Sequence, residues 1–401
     1  MRIALFYTDI ESFNFFMDQL DREFRLRGHE TFIFDLLHPY DETPHSYAHF
    51  IEFASSRIDL AVCFDGMCVR EEVLIETWDA WDTLVVDILM DPPLRFHPTL
   101  ERHSKNYLLF CCDQDHIEYV KTYFAQEVPY VAFMPHVGAA PKQDVPMIPY
   151  EDRKYDILFT ATYYRPEDRL SKLLHMCGEN TGMKQLYQMM YQNMIDNSAL
   201  TIEQALLQAM QQGGWAVPRE TLKTIFAWSE NVDWAIRMYQ RGQVVSVLAE
   251  AGFELYLLGR GWENHSASKY PNVHRIDDRV PYAQTLPYMA NAKINLNVMP
   301  WFKSGTHDRI FNTLLQHSLP LTDRSSWIEE NFRDGWDIAL YDLQHLDSLP
   351  AIAESLLYDA DKAEAIIRNG YEKVLKNLTW SNCADQILEA YTALTYPTPA
   401  P

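Results

Sequence analysis

Short apolar runs alternate with helical stretches along the first third of the chain. The helix after the first run extends from about Phe13 to Arg27, and Gly28 ends it. Such alternation predicts buried strands of a parallel sheet that helices cover on both faces. The apolar runs are RIALFYT at 2–8, HETFIFDL at 29–36, DLAVCF at 59–64, TLVVDIL at 83–89, YLLFCC at 107–112 and YVAF at 130–133.

A proline-rich stretch separates this set from a second one. Prolines at 141, 146 and 149 predict a linker near residues 138–152. Residues from about 167 to 250 have a helical, polar pattern, which predicts a helical insertion at about 170–245. The second set of strands is predicted at YDILFT (155–160), FELYLLG (253–259), NVHRIDD (272–278), KINLNVMP (293–300), LPLTD (319–323) and DIALYD (337–342). We therefore predict an α/β fold with two Rossmann-like domains, residues 1–140 and 151–375, and a helical C-terminal segment at 376–401.

Composition narrows the classes of partner. The 401 residues are enough for two domains, and 47% apolar with 22% charged residues are typical of a globular protein. A net charge of -22 argues against nucleic acid or an anionic membrane as the main partner. It remains compatible with an anionic small molecule that binds at one cationic site. No run of 18 apolar residues occurs, so we predict no membrane span.

Cysteine and histidine spacing predicts no metal site. The six cysteines form no CxxC pair, and the 14 histidines form no HExxH motif. We therefore expect neither a metal nor another cofactor. The cysteines are expected to be reduced core residues of a cytoplasmic protein.

The segment SGTHDR is the strongest candidate for a binding site, because it joins a predicted strand to a predicted helix. Ser304, Gly305 and Thr306 form a small-residue turn whose backbone N–H groups can approach a ligand closely. His307 and Arg309 lie at the start of the helix, where the helix dipole makes cations unfavourable. An anion opposite them removes that cost, and a guanidinium suits two phosphate oxygens. The alternative is an ordinary capped helix with surface charges.

Two other strand ends of the second domain carry candidate ligand contacts. Gly259 and Arg260 belong to LLGRGWE, where the glycines leave room for a ligand. A tight strand-to-helix turn explains that pattern equally well. Thr160 and Thr162 end the first strand of the domain, and their hydroxyls suit either a phosphate or the cap of the next helix.

Three residues of the first domain are candidates for a general base. Asp65 and Asp91 each follow an apolar strand, and a carboxylate at such an edge can take a proton from a hydroxyl. His136 lies in MPHVG beside the predicted linker. The alternatives are aspartates that only end strands and cap helices, and a histidine that only satisfies hydrogen bonds.

The second domain resembles the GT-B glycosyltransferases, specifically the CgeB-like group of bacterial spore-maturation enzymes. The matching segments are YDILFTATYYRPEDR at 155–169, YLLGRGW at 256–262, RVPYAQTLPYMANAKINLNV at 279–298, GTHDRIFNTLLQHSLPLTD at 305–323 and the helical tail after ALYD. The resemblance covers about residues 150–401 and is most specific in HDRIFN. In the first domain only the general Rossmann layout is similar.

This resemblance implies a GT-B fold, with two Rossmann-like domains facing a central cleft and a C-terminal helix that returns to the first domain. It also implies that the second domain binds a nucleotide-sugar donor, with UDP as the expected nucleotide. By position, Gly305, His307 and Arg309 become phosphate ligands. Val280 and Tyr282 are then expected to flank the nucleobase.

Some positions depart from the pattern of the broader retaining GT-B group. Asn312 and Ser304 stand where many of those enzymes have a pair of glutamates, and His317 replaces a usual glycine. We predict a metal-independent glycosyltransferase that moves a sugar to a hydroxyl of a glycan, peptide or protein. The missing carboxylates leave open an alternative, a non-catalytic sugar-nucleotide-binding or scaffold protein.

Overall fold

The computed structural model describes residues 1–141, 147–276 and 279–396. Three predicted segments include residues outside these ranges: the linker at 138–152, the strand run at 272–278 and the C-terminal segment at 376–401.

The described residues form strands and helices in regular alternation, apart from one helical stretch between β7 and β8. As far as residue 133 the elements are β1 Arg2–Phe6, α1 Glu11–Leu26, β2 Glu30–Phe34, α2 Tyr47–Phe53, β3 Leu60–Phe64, α3 Glu72–Trp81, β4 Leu84–Leu89, α4 His97–Glu101, β5 Tyr107–Cys111, α5 Gln114–Tyr123 and β6 Val131–Phe133. The remaining elements are β7 Tyr155–Thr160, α6 Pro166–Met176, α7 Thr181–Asp196, α8 Ile202–Gly213, α9 Arg219–Trp228, α10 Glu230–Glu250, β8 Leu255–Leu258, β9 Val273–Arg275, α11 Tyr282–Ala290, β10 Ala292–Asn297, α12 Asp308–Leu315, β11 Leu319–Asp323, α13 Ser326–Asn331, β12 Ala339–Tyr341, α14 Leu349–Leu357, α15 Ala360–Asn377 and α16 Trp380–Thr395.

The strands of the described residues form two six-stranded sheets, and every neighbouring pair of strands is parallel. Each strand lies within an apolar run that predicted it, except that β10 begins one residue before its run. The predicted α/β fold with two Rossmann-like sheets is therefore confirmed.

The first compact unit comprises Met1–Ala140 together with the chain from Lys376 onward. Its strand order is β2-β1-β3-β4-β5-β6. Strands β3 and β4 are buried along their whole length, as expected where helices cover both faces of a parallel sheet. Helix α16 packs on α1, because the rings of Phe16 and Trp380 lie 5.0 Å apart between centroids. At the end of α1, Arg27 Nε donates to Asp385 Oδ1 at 2.8 Å.

The second compact unit is Pro141–Leu375, and its strand order is β12-β11-β10-β7-β8-β9. Within this unit β7 comes first along the chain, so β8 and β9 extend the sheet to one side and β10 to β12 extend it to the other. The register pairs Leu296 of β10 with Phe159 of β7. The order of the strands reverses between β7 and β10, and open α/β sheets bind ligands beyond the carboxyl ends of the strands at such a point.

Helices α6 to α10 fill the long interval between β7 and β8. Helix α10 packs against α6, α7 and α9, and it is the longest of the five. Its low amphipathicity follows from burial on most of its surface, including Arg237 and Arg241. Two buried arginines four residues apart on one helix need a physical explanation.

One expectation about the cysteines is wrong. Cys63 and Cys68 form a disulfide, with Cα atoms 5.6 Å apart. Both residues lie at the carboxyl end of β3, and the turn between them brings the sulfur atoms together. The other four cysteines are free and buried, as expected for core residues. Among the described helices, none combines the length and apolar character needed to cross a bilayer.

Candidate functional site

The turn between β10 and α12 lies at the switch point of the second sheet. Helix α12 begins at Asp308, and Ile310, Phe311 and Leu314 bury its apolar face. His307 is the N-cap, because its Nδ1 accepts the backbone N–H of Arg309 at 3.2 Å. Asp308 Oδ1 lies 2.8 Å from the same Nδ1. Nδ1 makes one of these two hydrogen bonds at a time: without a hydrogen it accepts from the Arg309 N–H, and with a hydrogen it donates to Asp308.

The Arg309 side chain is half-buried and extends toward the end of β10. Its Nη1 donates to Asn297 Oδ1, and Asn297 Nδ2 in turn donates to Thr322 Oγ1 at 2.8 Å. Loss of water around this guanidinium lowers the pKa of Arg309, although the nearby Asp308 carboxylate opposes the shift. No carboxylate of the described residues forms an ion pair with Arg309, so an amide oxygen is its close partner.

Helix α10 brings two further guanidinium groups to this region. The Arg237 guanidinium lies 3.8 Å from the ring centroid of Trp301, and the Arg241 guanidinium lies 5.4 Å from it. Trp301 follows β10 in the turn that leads to α12, so the ring connects the insertion with the candidate site. Arg241 also donates from Nη1 to the carbonyl oxygen of Thr162 at 2.9 Å.

The turn from Ser304 to Thr306 is held by the residues that follow β11. Ser325 Oγ donates to the carbonyl oxygen of Gly305 at 2.6 Å, and the backbone N–H of Ser326 donates to the carbonyl oxygen of Lys303 at 2.9 Å. Thr306 is fully buried. These contacts fix the backbone that leads to the first N–H groups of α12.

A buried polar network connects α11 with the first turn of α12. The Tyr282 hydroxyl donates to Asp308 Oδ2 and accepts from Asn312 Nδ2 at 2.8 Å. Burial, followed by the nearby Asp308 carboxylate, raises the pKa of Tyr282 well above its usual value. The phenol therefore stays protonated and holds the two helices together.

In the first unit, aspartates cluster after β3 and β4. Asp65 Oδ1 accepts the backbone N–H of Met90 at 3.0 Å, and Arg95 Nη1 lies 2.9 Å from Asp91 Oδ2. Desolvation raises the pKa of Asp65 well above its usual value, and the like charge of Asp91 adds to the shift. Asp65 also has a φ angle of 51°, in the left-handed region that favours glycine, asparagine and aspartate.

Asp87 of β4 is the most deeply buried carboxyl of this cluster. It accepts the Tyr107 hydroxyl at 2.7 Å and the backbone N–H of Gly66 at 2.9 Å. Burial raises its pKa to about 6, although these hydrogen bonds oppose the shift. Gly66 follows Asp65 with a φ of 76°, and a Cβ there would lie 2.7 Å from the Thr99 side chain. The chain around Asp65 is therefore constrained on several sides.

One family model matches part of the sequence. Residues 241–389, most of them in the second unit, match the model of a family described as glycosyl transferase-like. No curated protein matches the sequence. Many solved structures are similar across almost the whole chain, although their sequences differ greatly.

Three of these structures illustrate the similarity. Sucrose-phosphate synthase from Thermosynechococcus elongatus aligns with a TM-score of 0.56 and 11% identity, over 99% of this chain and 100% of that one. A glycosyltransferase from Rickettsia africae ESF-5 aligns with a TM-score of 0.53 and 9% identity, over 99% of each chain. An α-glucosyltransferase in complex with UDP and a 13-mer DNA containing an HMU base aligns with a TM-score of 0.55 and 12% identity, over 98% of this chain and 99% of that one.

The chain has the GT-B glycosyltransferase fold. Within this GT-B fold the glycines after β8 have a structural explanation. A Cβ on Gly259 would lie 2.3 Å from the carbonyl oxygen of Ala161, so the turn packs directly on the chain after β7. Arg260 is exposed, and its carbonyl oxygen accepts the backbone N–H of Tyr163 at 2.9 Å. The turn alternative accounts for this motif, and ligand contact there stays a prediction.

The other predicted contacts of the second unit have mixed surroundings. Thr160 and Thr162 do not cap α6, whose N-cap is Arg165, so the capping alternative is wrong. Thr160 Oγ1 is buried and has no hydrogen-bond partner among the described residues. Val280 packs against a small apolar cluster of the second unit. The prediction that Val280 and Tyr282 flank a nucleobase remains to be tested, but the Tyr282 hydroxyl is already engaged.

His317 shows why a glycine is usual at its position in the GT-B fold. Its φ of 54° lies in the left-handed region, at the end of α12. The ring stacks on Tyr371 at 4.0 Å between centroids, and the His317 carbonyl oxygen accepts from Arg153 Nη2 at 2.6 Å. These contacts hold a residue with a Cβ in a conformation that glycine adopts more easily.

Sequence reasoning missed Arg237, Arg241 and Trp301. The sequence did contain a signal for these residues: the two arginines have helical spacing, and Trp301 directly follows the predicted run at 293–300. The arginines lie in the insertion, about 70 residues along the chain from Arg309, and nothing in the pattern shows which face of α10 meets the sheet. His136 is buried, and a catalytic role for it stays a prediction.

Asp87→Asn should stabilise the protein more at pH 7.5 than at pH 4. The folded-state pKa of about 6 exceeds the ordinary value of 3.8, so the stability that the aspartate contributes is complete below about pH 4 and is lost as the pH rises through 6. Asparagine keeps a hydrogen-bonding amide and cannot ionise. The difference is at most about 3 kcal/mol, and thermal unfolding between pH 4 and 8 measures it.

The matched control for this measurement is Asp82→Asn. Asp82 is exposed and paired with Lys105, which holds the pKa of its carboxyl below the usual value. The control should therefore show no gain at pH 7.5. If the difference in unfolding free energy between Asp87→Asn and the parent stays constant across the pH range, the result would contradict ionisation of Asp87 at a site shielded from water.

Proposed function

We propose that the protein is a metal-independent glycosyltransferase that moves a sugar from a nucleoside-diphosphate sugar to a hydroxyl acceptor. The observation that carries this proposal is the position of Arg309. Its desolvated guanidinium, which has no carboxylate partner among the described residues, lies at the switch point of a Rossmann-ordered sheet. The surrounding segment also matches the glycosyl transferase-like family.

The chemistry of sugar transfer suits such a site. When the bond between the sugar and the diphosphate breaks, negative charge develops on the leaving phosphate. A fixed guanidinium and the first backbone N–H groups of a helix stabilise that charge more strongly in the transition state than before it. Arg309 and the start of α12 supply both kinds of group. In this proposal the protein itself neutralises the diphosphate.

We propose UDP as the nucleotide of the donor. The support for this proposal is that the α-glucosyltransferase of similar fold is in complex with UDP. We also propose that the protein belongs to the CgeB-like group, on the segments at 155–169, 256–262, 279–298 and 305–323. The phosphate contacts are then Ser304, Gly305, Thr306, His307 and Arg309.

For the acceptor, we propose a hydroxyl of a glycan, peptide or protein. That hydroxyl must lose a proton, and Asp65, Asp91 and His136 of the first unit are our candidates for the base. Burial raises the pKa of Asp65 well above its usual value, whereas Asp91 lies 2.9 Å from the Arg95 guanidinium.

A non-catalytic sugar-nucleotide-binding or scaffold protein is the second candidate function. The observation that favours it is Asn312, whose side chain donates to the Tyr282 hydroxyl where a carboxylate is common in the broader group. Incubation with a panel of nucleotide sugars and candidate acceptors separates the two functions. Release of a nucleoside diphosphate supports the enzyme, and UDP binding without release from any donor supports the second candidate.

Arg309→Ala should weaken UDP binding by about 10-fold to 150-fold. A hydrogen bond to a charged group contributes about 1.5–3 kcal/mol, and its loss removes that part of the binding free energy. Isothermal titration calorimetry with UDP measures the change. The control is Arg165→Ala, because Arg165 is exposed and its side chain pairs with Asp168 in the same unit. Equal UDP affinity of the Arg309 variant and the parent would remove Arg309 from the site.

Three substitutions test the base candidates: Asp65→Asn, Asp91→Asn and His136→Ala. We expect at least one to lower turnover by about 100-fold or more while UDP affinity is retained, because general base catalysis commonly contributes that much. Asparagine tolerates the left-handed backbone at residue 65, so this variant keeps the local fold. Nucleoside diphosphate release measures turnover. Full activity in all three variants would exclude these residues as bases.

A further inference from the structure

Helix α10 of the insertion carries a guanidinium group without a neutralising partner. Arg241 is 7% exposed, and its Nη1 donates to the Thr162 carbonyl oxygen. Its Nε is buried without a hydrogen-bond partner. No carboxylate of the described residues forms an ion pair with it. A buried charge in such surroundings is costly unless something else supplies the opposite charge.

Arg237 provides a comparison one helical turn earlier. Its guanidinium lies 2.8 Å from the Asp233 carboxylate, so its charge is already neutralised within α10. Both arginines lie over the Trp301 ring. Because both share the ring and only Arg237 has the carboxylate, stacking on Trp301 does not explain the charge of Arg241.

The sheet brings Arg241 and Arg309 to the same place. Arg241 is bound to the chain directly after β7, through the Thr162 carbonyl oxygen. Arg309 is bound to the last residue of β10, Asn297. Strands β7 and β10 are hydrogen-bonded neighbours, and neighbouring strands lie about 4.8 Å apart. Two guanidinium groups without carboxylate partners therefore lie at adjacent strand ends.

The positive charges of Arg241 and Arg309 also repel each other. Burial lowers the pKa of Arg241 to about 9, and the positive charges of Arg309 and Arg237 contribute to the shift. Two cations that repel each other in a dry site are unfavourable in the free protein. A dianionic or trianionic group between them converts that repulsion into attraction.

We propose that Arg241 is a second diphosphate-binding residue, which contacts the donor phosphates together with Arg309. This inference rests on the proposed function, and it gives the helical insertion a role: its last helix completes the donor site. Two guanidinium groups match a ligand with two phosphates better than a ligand with one. The insertion thus contributes to selection of a nucleoside diphosphate over the free nucleoside.

A purely structural role for Arg241 makes a different prediction. If the guanidinium mainly holds the Thr162 carbonyl oxygen, its removal takes away that hydrogen bond and destabilises the protein. If the Arg241 guanidinium mainly serves to bind an anion, its replacement by an apolar side chain of similar length removes an unneutralised buried charge. In that case the free protein keeps its stability or becomes more stable.

The experiment uses the full-length protein with Arg241→Met, and Arg165→Met as the control of equal charge. Thermal unfolding without ligand is measured first. The dissociation constants of UDP, uridine and inorganic pyrophosphate are then measured by titration calorimetry. Arg241→Lys forms a fourth sample, because lysine keeps the charge but loses the planar pair of donors.

We expect Arg241→Met to bind UDP and pyrophosphate at least tenfold more weakly, with uridine binding unchanged and an unfolding temperature equal to or above that of the parent. Arg241→Lys should recover part of the loss. The control should match the parent throughout. An equal loss for UDP and uridine, or UDP binding that does not depend on residue 241, would overturn the inference.

The outcomes also separate this inference from the proposed function. If the parent binds UDP and Arg241→Met binds it equally well, the result supports the proposed donor but shows that Arg241 does not bind the diphosphate. If the parent binds pyrophosphate through Arg241 but binds no nucleoside diphosphate, the result supports the anion site and contradicts the proposed donor. If the parent binds none of these ligands, both proposals are wrong.

Discussion

Two guanidinium groups, those of the buried Arg241 and the half-buried Arg309, lie at the ends of neighbouring parallel strands, and no carboxylate of the described residues forms an ion pair with either. Arg309 extends from the first turn of α12 toward Asn297, and Arg241 extends from α10 toward the carbonyl oxygen of Thr162. Desolvation of a cation is expensive, and in our proposal the diphosphate of the donor offsets that cost. The surrounding elements suit such a ligand. The sheet places the strand ends side by side, the helix start supplies N–H donors, and the insertion supplies the second cation.

The order of the strands is consistent with the proposed position of the diphosphate. In the second unit β7 is central, and the chain departs to opposite sides through β8 and β10. The connecting segments therefore diverge and leave space beyond the carboxyl ends of the strands. The turn from Ser304 to Thr306 borders that space, and Ser325 holds its backbone through the Gly305 carbonyl oxygen. A stable turn of this kind keeps the donors fixed, which is what transition-state stabilisation requires.

The sequence was sufficient for the fold because most strands are short buried runs between helical segments. Each predicted run contains one strand of the two parallel sheets. Arg309 was also accessible to sequence reasoning, since a cation at the start of a helix conflicts with the helix dipole. Arg241 could not be identified from the sequence, because it lies on a helix distant along the chain and its partner is a backbone carbonyl group. Contacts of that kind depend on tertiary packing, which no local pattern records.

The same limit applies to the first unit. The sequence marked Asp65 and Asp91 as separate strand ends, whereas the structure adds the buried Asp87 and Arg95 to their surroundings. It also pairs Cys63 with Cys68 around the turn that carries Asp65, which spacing alone did not indicate. The left-handed backbone of Asp65 and His317 is another case, because aspartate and histidine reveal less about φ than glycine does.

A crystal structure of the protein with bound UDP tests the central claim most directly. The account predicts that phosphate oxygens lie within hydrogen-bonding distance of the Arg309 guanidinium and of the backbone N–H groups at the start of α12. It would be contradicted by a nucleotide that occupies another part of the chain while Arg309 stays bound to Asn297 with no phosphate beside it.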